Sequence, residues 1–320
     1  MLSEKGRRLG DLPRIRNSEQ VLAEAGAVHF KRAEEILERS VLGRRLSRPV
    51  QVLVKEPSDR RKNRVLRGHC WSSGLPEKSL VFVAPGLYAC APEFSYLQES
   101  RRLSIPLSSL FGMEIVGSFV RDGASEYGCR TAQPATDIEA VRNFVRKASG
   151  KPGARKARMA LRFVLEGSRS PQESKCALLL SLPKRYGGFG LPKPLLNPRI
   201  ETNPEYQQTG LSEPRYCDIY YPRGRLDIEY NGAQHEQGAA PIHDLERERA
   251  LFRVGITVVS LTAAALANRF EMTRLARGIE RKLGCRTQED SSLTIEMRKL
   301  LFDAFFPPRE QGCPWFSEAA

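Results

Sequence analysis

A short stretch of the chain, residues 215–235, constrains the fold more than any other feature of the sequence. It reads RYCDIYYPRGRLDIEYNGAQH, with two β-rich runs on either side of the turn-forming tripeptide Pro-Arg-Gly at 222–224. The second run carries Asp227, Glu229 and Asn231 at alternate positions. Because side chains alternate between the two faces of a strand, these three share one face. The stretch therefore predicts a β-hairpin with one polar face.

The first run of this hairpin carries one acid, Asp218, and its position relative to Glu229 depends on the loop. A two-residue turn at 223–224 sets the two acids opposite each other, with Cβ atoms about 5 Å apart. Carboxylates so placed repel unless a cation lies between them, and their oxygens suit Mg²⁺ or Mn²⁺. A three-residue loop at 222–224 with Gly224 in the left-handed conformation shifts the register by one residue. The sequence leaves open both a metal-binding hairpin and an edge hairpin with a solvated acidic face.

Positive charge is concentrated in the first half of the chain. Of the formal net charge of +14, residues 1–170 contribute 31 Lys and Arg against 18 Asp and Glu, and residues 171–320 contribute 20 against 19. Such an excess is typical of a polyanion partner, most often nucleic acid, although a solvated basic helix face is the alternative. We predict a DNA partner, with RNA left open. The predicted phosphate contacts are Arg142, Arg146, Lys147, Lys151, Arg155, Lys156, Arg158 and Arg162.

Several classes of protein are disfavoured by composition. No apolar run approaches the roughly 18–20 residues that span a membrane, and the N-terminus lacks the hydrophobic segment of a signal peptide. The seven cysteines are at least 20 residues apart, so they form no paired zinc-binding motif and suggest reduced thiols. The chain is therefore expected to be cytoplasmic, with no membrane contact.

Local signals also predict the order of the elements. Thr136 to Glu139 reads as a capping box that opens a helix, and Ser170 to Glu173 reads as another helix start with Pro at the first position. From 170 to 283 the pattern predicts the order α, β, β, β, α, β, α. Its second helix is expected at 243–253, its last strand at 256–261 and its last helix at 263–283.

This order, with Asp218 on the second strand and Glu229 on the third, resembles the PD-(D/E)XK nuclease superfamily. More narrowly, residues 170–283 resemble the very-short-patch-repair-like (Vsr-like) endonuclease domain. Residues 75–170 resemble the region that precedes the nuclease in proteins related to AbiEi-type antitoxins. The positions that match the Vsr-like pattern are Asp218, Pro222, Leu226, Ile228, Glu229, Asn231, Gly232, His235, Asp244, Arg247 and Gly255.

The resemblance implies an α/β fold with a restriction-endonuclease-like αβββαβ core, preceded by a mixed α+β basic domain. We expect a basic nucleic-acid-binding region at 1–167, the nuclease domain at 168–284 and a helical C-terminal tail at 285–320. The implied function is Mg²⁺- or Mn²⁺-dependent endonuclease action on DNA, in DNA repair or anti-phage defence. The alternative is a weakly active or inactive nuclease-like DNA-binding regulator or antitoxin. A homodimer or a toxin–antitoxin partner is compatible with either.

The resemblance also assigns roles to residues. Asp218 and Glu229 would be metal ligands, with the carbonyl of Tyr230 as a third. Glu173, on the first core helix, would reach the metal shell, or it would serve only as a member of its capping box. His235 would act as a general acid or hold the scissile phosphate.

Two further positions of the pattern have open roles. Asn231 stands where the superfamily usually has Lys and this subfamily often Asp. Asn cannot be a general base, so its implied role is to orient a water or the metal shell, and it favours the weakly active alternative. Arg247 would clamp a phosphate, or it would pair with acids on a solvated helix face. Asp227 is expected to support the site without binding the metal.

Overall fold

A computed structural model describes residues 9–25, 35–38, 48–60, 62–122, 125, 128–200, 215–231, 251–252, 255–285 and 289–307. These residues form a mixed α/β arrangement with several small sheets, as the predicted α/β class requires. Within the described ranges, no helix is both long enough and apolar enough to cross a membrane.

The helices and strands have the following bounds. The helices are α1 Ser18–Ala25, α2 Pro92–Arg102, α3 Ile105–Val116, α4 Ile138–Lys147, α5 Ala154–Ala160, α6 Pro171–Ser181, α7 Ala263–Ala267, α8 Arg269–Leu283 and α9 Ser292–Phe305. The strands are β1 Arg14–Ile15, β2 Val50–Val54, β3 Leu66–Cys70, β4 Leu80–Ala84, β5 Leu87–Cys90, β6 Phe119–Arg121, β7 Cys129–Thr131, β8 Leu195–Leu196, β9 Arg199–Ile200, β10 Arg215–Tyr216, β11 Ile219–Tyr221, β12 Leu226–Asn231 and β13 Thr257–Thr262.

The chain divides into two compact units. The first unit comprises residues 1–102 and 135–158, and the second comprises residues 103–134 and 159–320. The three-part division expected from the sequence, with boundaries after 167 and 284, stays a prediction.

The first unit contains the antiparallel sheet β1-β4-β5 and the parallel pair β2-β3. Helix α4 packs against α2 through Ile138, Val141 and Val145, which are buried. Their spacing of three and four residues produces one apolar stripe, and the opposite face of α4 is left to charged side chains.

The start of α4 corrects one prediction from the sequence. Asp137, not Thr136, caps the helix, because the Asp137 carboxylate accepts a hydrogen bond from the amide of Ala140 at 2.7 Å. The Thr136 hydroxyl instead donates to Glu93, which also pairs with Arg14 at 2.7 Å. A buried carboxylate needs such partners, so this distant acid takes the hydroxyl away from the cap.

The second unit contains a four-stranded sheet in the order β13-β12-β11-β8. Strands β12 and β13 are parallel, and β11 is antiparallel to both of its neighbours. Helix α6 precedes these strands in sequence, and Cys176 to Leu180 within it are completely buried. This segment of α6 is apolar on all sides and is therefore buried inside the unit. Its burial fixes the position of the polar first turn of the helix.

Two other predicted helices of the second unit need comment. The helix expected at 243–253 lies outside the described residues except for Leu251 and Phe252. The single helix expected at 263–283 is two helices, α7 and α8, separated at Asn268. The Asn268 side chain accepts hydrogen bonds from the amides of Phe270 and Glu271 at 2.9 and 3.3 Å. Asn favours a cap over a helix interior, which ends α7 and starts α8.

Candidate active site

The register of the hairpin β11–β12, continued by one residue, brings Asp218 level with Glu229, although Asp218 is a bend residue that directly precedes β11. The paired residues are Ile219 with Ile228, Tyr220 with Asp227 and Tyr221 with Leu226. The next pair outward in this register is Asp218 with Glu229. The loop contains four residues, 222–225, so neither the two-residue turn nor the three-residue loop considered from the sequence is observed, but the register is the one that the two-residue turn implied.

The conformation of the loop accounts for this pairing register. It is closed by a hydrogen bond from the amide of Arg225 to the carbonyl of Pro222 at 3.1 Å. The left-handed conformation falls on Arg225, with φ of 44°, and not on Gly224. Gly224 is instead closely packed, because a Cβ atom there would lie 2.7 Å from a methyl carbon of Leu283, whose side chain would have to shift.

A backbone amide of β12 orients the carboxylate of Asp218. The amide of Tyr230 donates to Asp218 Oδ2 at 3.0 Å, so the two predicted metal-shell residues are in contact. This contact uses the amide of Tyr230, and the role expected for its carbonyl stays a prediction. The carboxylate is held at the end of β11, beside the strand that carries Glu229.

Glu173 lies in the first turn of α6 and takes part in its capping box, and its place in a metal shell stays a prediction. Its amide donates to the hydroxyl of Ser170 at 3.1 Å, as the capping box predicts. Its carboxylate also interacts with the side chain of Ser170. In addition, Glu173 Oε2 accepts hydrogen bonds from the amide of Arg169 at 2.9 Å and from the side-chain amide of Asn197 at 2.6 Å. Burial raises the pKa of Glu173 to about 7, and the charge of Asp218 acts in the same direction.

Asp227 lies on the same face of β12 as Glu229 by alternation and is completely buried. Its Oδ1 accepts from the amide of Ile219 at 3.3 Å, and among the described residues its Oδ2 has no hydrogen-bond partner. Burial raises the pKa of Asp227 to about 7, and the nearby charges of Asp218 and Glu229 contribute to the rise. This position suits an acid that adds negative charge to the site.

These acids form one electrostatic group. Asp218 raises the pKa of both Glu173 and Asp227, and Glu229 raises that of Asp227, so the four carboxylates lie close enough to repel. In the described part of the chain, however, no group of three or more His, Cys, Asp or Glu side chains is arranged to hold a metal ion. The donors fit Mg²⁺ or Mn²⁺ by chemistry, since all are carboxylate oxygens and one buried oxygen lacks a partner among the described residues.

Asn197 is a site residue that the sequence reasoning missed. It adopts the left-handed conformation with φ of 48°, which Asn tolerates better than most residues. Its amide N–H donates to the carbonyl of Asp218 at 3.1 Å, and its side chain donates to Glu173. Asn197 therefore joins the acid of α6 to the acid of β11. The dipeptide Asn197-Pro198 signals a turn in the sequence, but nothing local indicates its distant partners.

Of the remaining predicted residues of the nuclease pattern, one lies in β12 and two lie outside the described residues. Asn231 is the last residue of β12, pairs with Thr262 and lies on the same face as Glu229 by alternation. His235 and Arg247 lie outside the described residues.

The predicted phosphate-contacting residues lie in the first unit except for Arg162, which belongs to the second. At least four of them have structural contacts, and the guanidinium of Arg146 donates to the side-chain oxygen of Asn143 at 3.3 Å. Arg142 pairs with Glu139 at 2.6 Å, the ammonium of Lys151 donates to the carbonyl of Ser73, and that of Lys156 donates to the carbonyl of Arg101 at 3.0 Å. Exposed side chains at the surface belong to Arg142, Arg146, Lys147, Arg155, Arg158 and Arg162.

The site as described therefore contains an acid pair set by hairpin register, two buried acids and an asparagine that links them. The basic helix α4 and the basic residues of α5 belong to the other unit. Comparisons of the chain with protein-family models, with curated proteins and with solved structures found no match.

Proposed function

We propose that this protein is a Mg²⁺- or Mn²⁺-dependent endonuclease that hydrolyses phosphodiester bonds of DNA. The second unit would be its nuclease domain, with a restriction-endonuclease-like core of the Vsr-like type. The observation that carries the proposal is the register that sets Asp218 opposite Glu229, next to the buried Glu173. The sheet order β13-β12-β11-β8, with α6 before it in sequence, supports the proposed core.

Asp218, Glu229 and Glu173 would hold the ion, which supplies Lewis-acid stabilisation of the phosphate and a nucleophile at neutral pH. The chain's own residues position these acids. The amide of Tyr230 orients Asp218, and the side chain of Asn197 orients Glu173. Asn231 would orient the attacking water by hydrogen bonding and would accept no proton. Asp227 would add negative charge that favours a cation in the site.

Incubation of supercoiled plasmid with the protein tests this function. Nicked or linear product is expected with Mg²⁺ or Mn²⁺ and not with EDTA. Asp218→Ala made and purified in the same way should give no product. Cleavage that persists in EDTA, or that is equal in the variant, would show a contaminant or a different site.

The alternative function, a nuclease-like DNA-binding regulator, is favoured by two observations. Asn231 occupies the position of the usual catalytic Lys, and in the described residues no cluster of three ligands is arranged for a metal. This alternative predicts tight duplex binding with no cleavage in any divalent ion. The plasmid assay and a binding assay on the same preparation separate the two.

Metal binding has a stability readout that does not depend on cleavage. Millimolar Mg²⁺ or Mn²⁺ should raise the melting temperature of the wild type, because a ligand that binds only the native state stabilises it by mass action. Glu229→Gln should lose this response. Glu296→Gln, at an exposed position of α9, is the matched control and should keep it. An equal shift in all three proteins would place the ion elsewhere.

The basic helices of the first unit are predicted to bind DNA phosphates. Replacement of Lys147, Arg155 and Arg158 by Ala should weaken binding to every duplex sequence, because phosphate contacts are independent of sequence. Each lost contact should also reduce the log–log slope of affinity against salt by about 0.9, which fluorescence anisotropy can measure. Lys156 is left in place because its ammonium holds a backbone carbonyl.

The control for this experiment removes the same charge from exposed positions of α8 in the second unit, Arg274, Arg277 and Arg281. This control should reduce the slope less than the variant of the basic helices. If the variant of the basic helices binds as tightly as the wild type at every salt concentration, these helices are only a solvated surface.

A further inference from the structure

One arginine at the edge of the acidic site is held over an aromatic ring. The guanidinium carbon of Arg169 lies 4.5 Å from the ring centroid of Tyr216. Arg169 directly precedes α6 and its cap, and its amide donates to the carboxylate of Glu173 at 2.9 Å. Tyr216 is in β10, two residues before Asp218. The guanidinium is therefore held over a ring two residues before Asp218, and the backbone of the same arginine contacts Glu173.

Within the described residues, the guanidinium of Arg169 forms no ion pair with a carboxylate, and the side chain is exposed. Contact with the ring restrains the side chain without neutralising its charge. A held guanidinium keeps its planar fork of donors, which matches two oxygens of a phosphate.

The surroundings of the pair favour an anionic ligand with an extended backbone. Arg199 lies directly opposite Tyr216 in the β9–β10 pairing, so its side chain leaves the sheet on the same face. Tyr216 thus has the guanidinium of Arg169 over its ring and the exposed Arg199 as its cross-strand neighbour. Any nucleic-acid strand that reaches these acids needs positive charge to offset their repulsion of its phosphates.

We propose that Arg169 binds a backbone phosphate of a nucleic-acid strand and that Tyr216 positions it. That phosphate would lie next to the bond to be cut. This part of the proposal rests on the nuclease function proposed above. Arg169 is the residue that aligns the strand with the acids. The structural alternative is that the contact of Arg169 with Tyr216 only fastens β10 to the start of α6.

The test measures duplex affinity against salt in EDTA, where metal-dependent cleavage is stopped. Arg169→Ala should weaken binding by about tenfold and reduce the log–log salt slope by about 0.9, the value of one phosphate contact. Arg169→Lys should keep the slope and lose part of the affinity, because the charge stays and the fork is lost. Tyr216→Phe should behave like the wild type, and Tyr216→Leu should lose affinity without a change in slope.

Arg185→Ala is the matched control, because Arg185 is also exposed and lies 4.9 Å from the ring centroid of Tyr186. It should leave both affinity and slope unchanged. A purely structural role for Arg169 predicts a lower melting temperature in Arg169→Ala with the wild-type slope, and that result would overturn the proposal. The proposal would also be overturned if Arg185→Ala and Arg169→Ala reduced the salt slope equally.

Failure of this proposal is distinguishable from failure of the nuclease function. If the wild type cleaves plasmid and Arg169→Ala keeps its affinity, KM and salt slope, the role of Arg169 is wrong and the nuclease stands. If the wild type never cleaves but Arg169→Ala loses the slope, the phosphate contact stands and hydrolysis is wrong. A wild type that binds no duplex or single strand overturns both.

Discussion

Asp218→Asn and Glu229→Gln are each expected to slow Mg²⁺-dependent plasmid cleavage by about three orders of magnitude or more. Both changes keep the size of the side chain and remove a negative oxygen that would hold the ion. Stabilisation by a catalytic metal is worth several kcal/mol, and each 1.36 kcal/mol is a factor of about ten in rate. In Asp218→Asn, the oxygen of the new side-chain amide would still accept from the amide of Tyr230, so the fold should persist.

Single-turnover nicking rates at saturating enzyme measure this loss without a contribution from product release. The exposed Glu296→Gln serves again as the control and should cut at the wild-type rate. If either site variant retained more than about a tenth of the wild-type rate, the two acids would not be a metal pair. Circular dichroism and melting of each variant would establish that the loss is not unfolding.

The second large effect concerns stability against pH. The free energy of unfolding of the metal-free protein should receive a contribution from Glu173 and Asp227 that falls as the pH rises. Both have a pKa of about 7 in the fold, above the ordinary values of these acids. At a pH between the ordinary value and about 7, the native state therefore binds more protons than the unfolded state. Their contribution is full below about pH 4 and is lost as the pH rises through about 7.

The size of this contribution is a few kcal/mol, since one pKa unit corresponds to about 1.4 kcal/mol and the two acids share their repulsion with Asp218. Asp227→Asn should therefore be more stable than the wild type at pH 8 and lose this advantage by pH 5. Urea unfolding in EDTA at both pH values gives the difference, in which the other titrating groups cancel. Glu173→Gln should change in the same direction.

An unchanged difference between variant and wild type at pH 5 and pH 8 would contradict this prediction. It would mean that the two carboxylates ionise at ordinary pH in the fold. Added Mg²⁺ should reduce the advantage of Asp227→Asn at pH 8, because a bound cation favours the ionised acids. Glu296→Gln should show no such pH dependence.

Much of the candidate site follows from local signals. The turn at 222–225 and the alternation along β12 set the face and the register of Asp218 and Glu229, which are properties of neighbouring residues. The start of α6 is equally local, because Ser170 and Pro171 favour a helix start at that point.

The failures arise where a distant partner decides. Thr136 is a good cap in isolation, but it bonds to Glu93, which lies 43 positions earlier. Asn197 and Arg169 read as loop residues, since their contacts with Glu173 and Tyr216 exist only after the elements pack. Asn268 is the exception, a cap inside an apolar pattern that a helix period alone cannot reveal.

The buried, partly unpaired carboxylate of Asp227 has a consequence for laboratory evolution of this protein. A library screened only for heat tolerance in chelating buffer should enrich neutral residues at position 227, because they relieve the repulsion between the carboxylates of the site. A library screened for cutting should retain the acid. The two selections should diverge first at position 227, so the residue found there would report whether a variant was selected for stability or for activity.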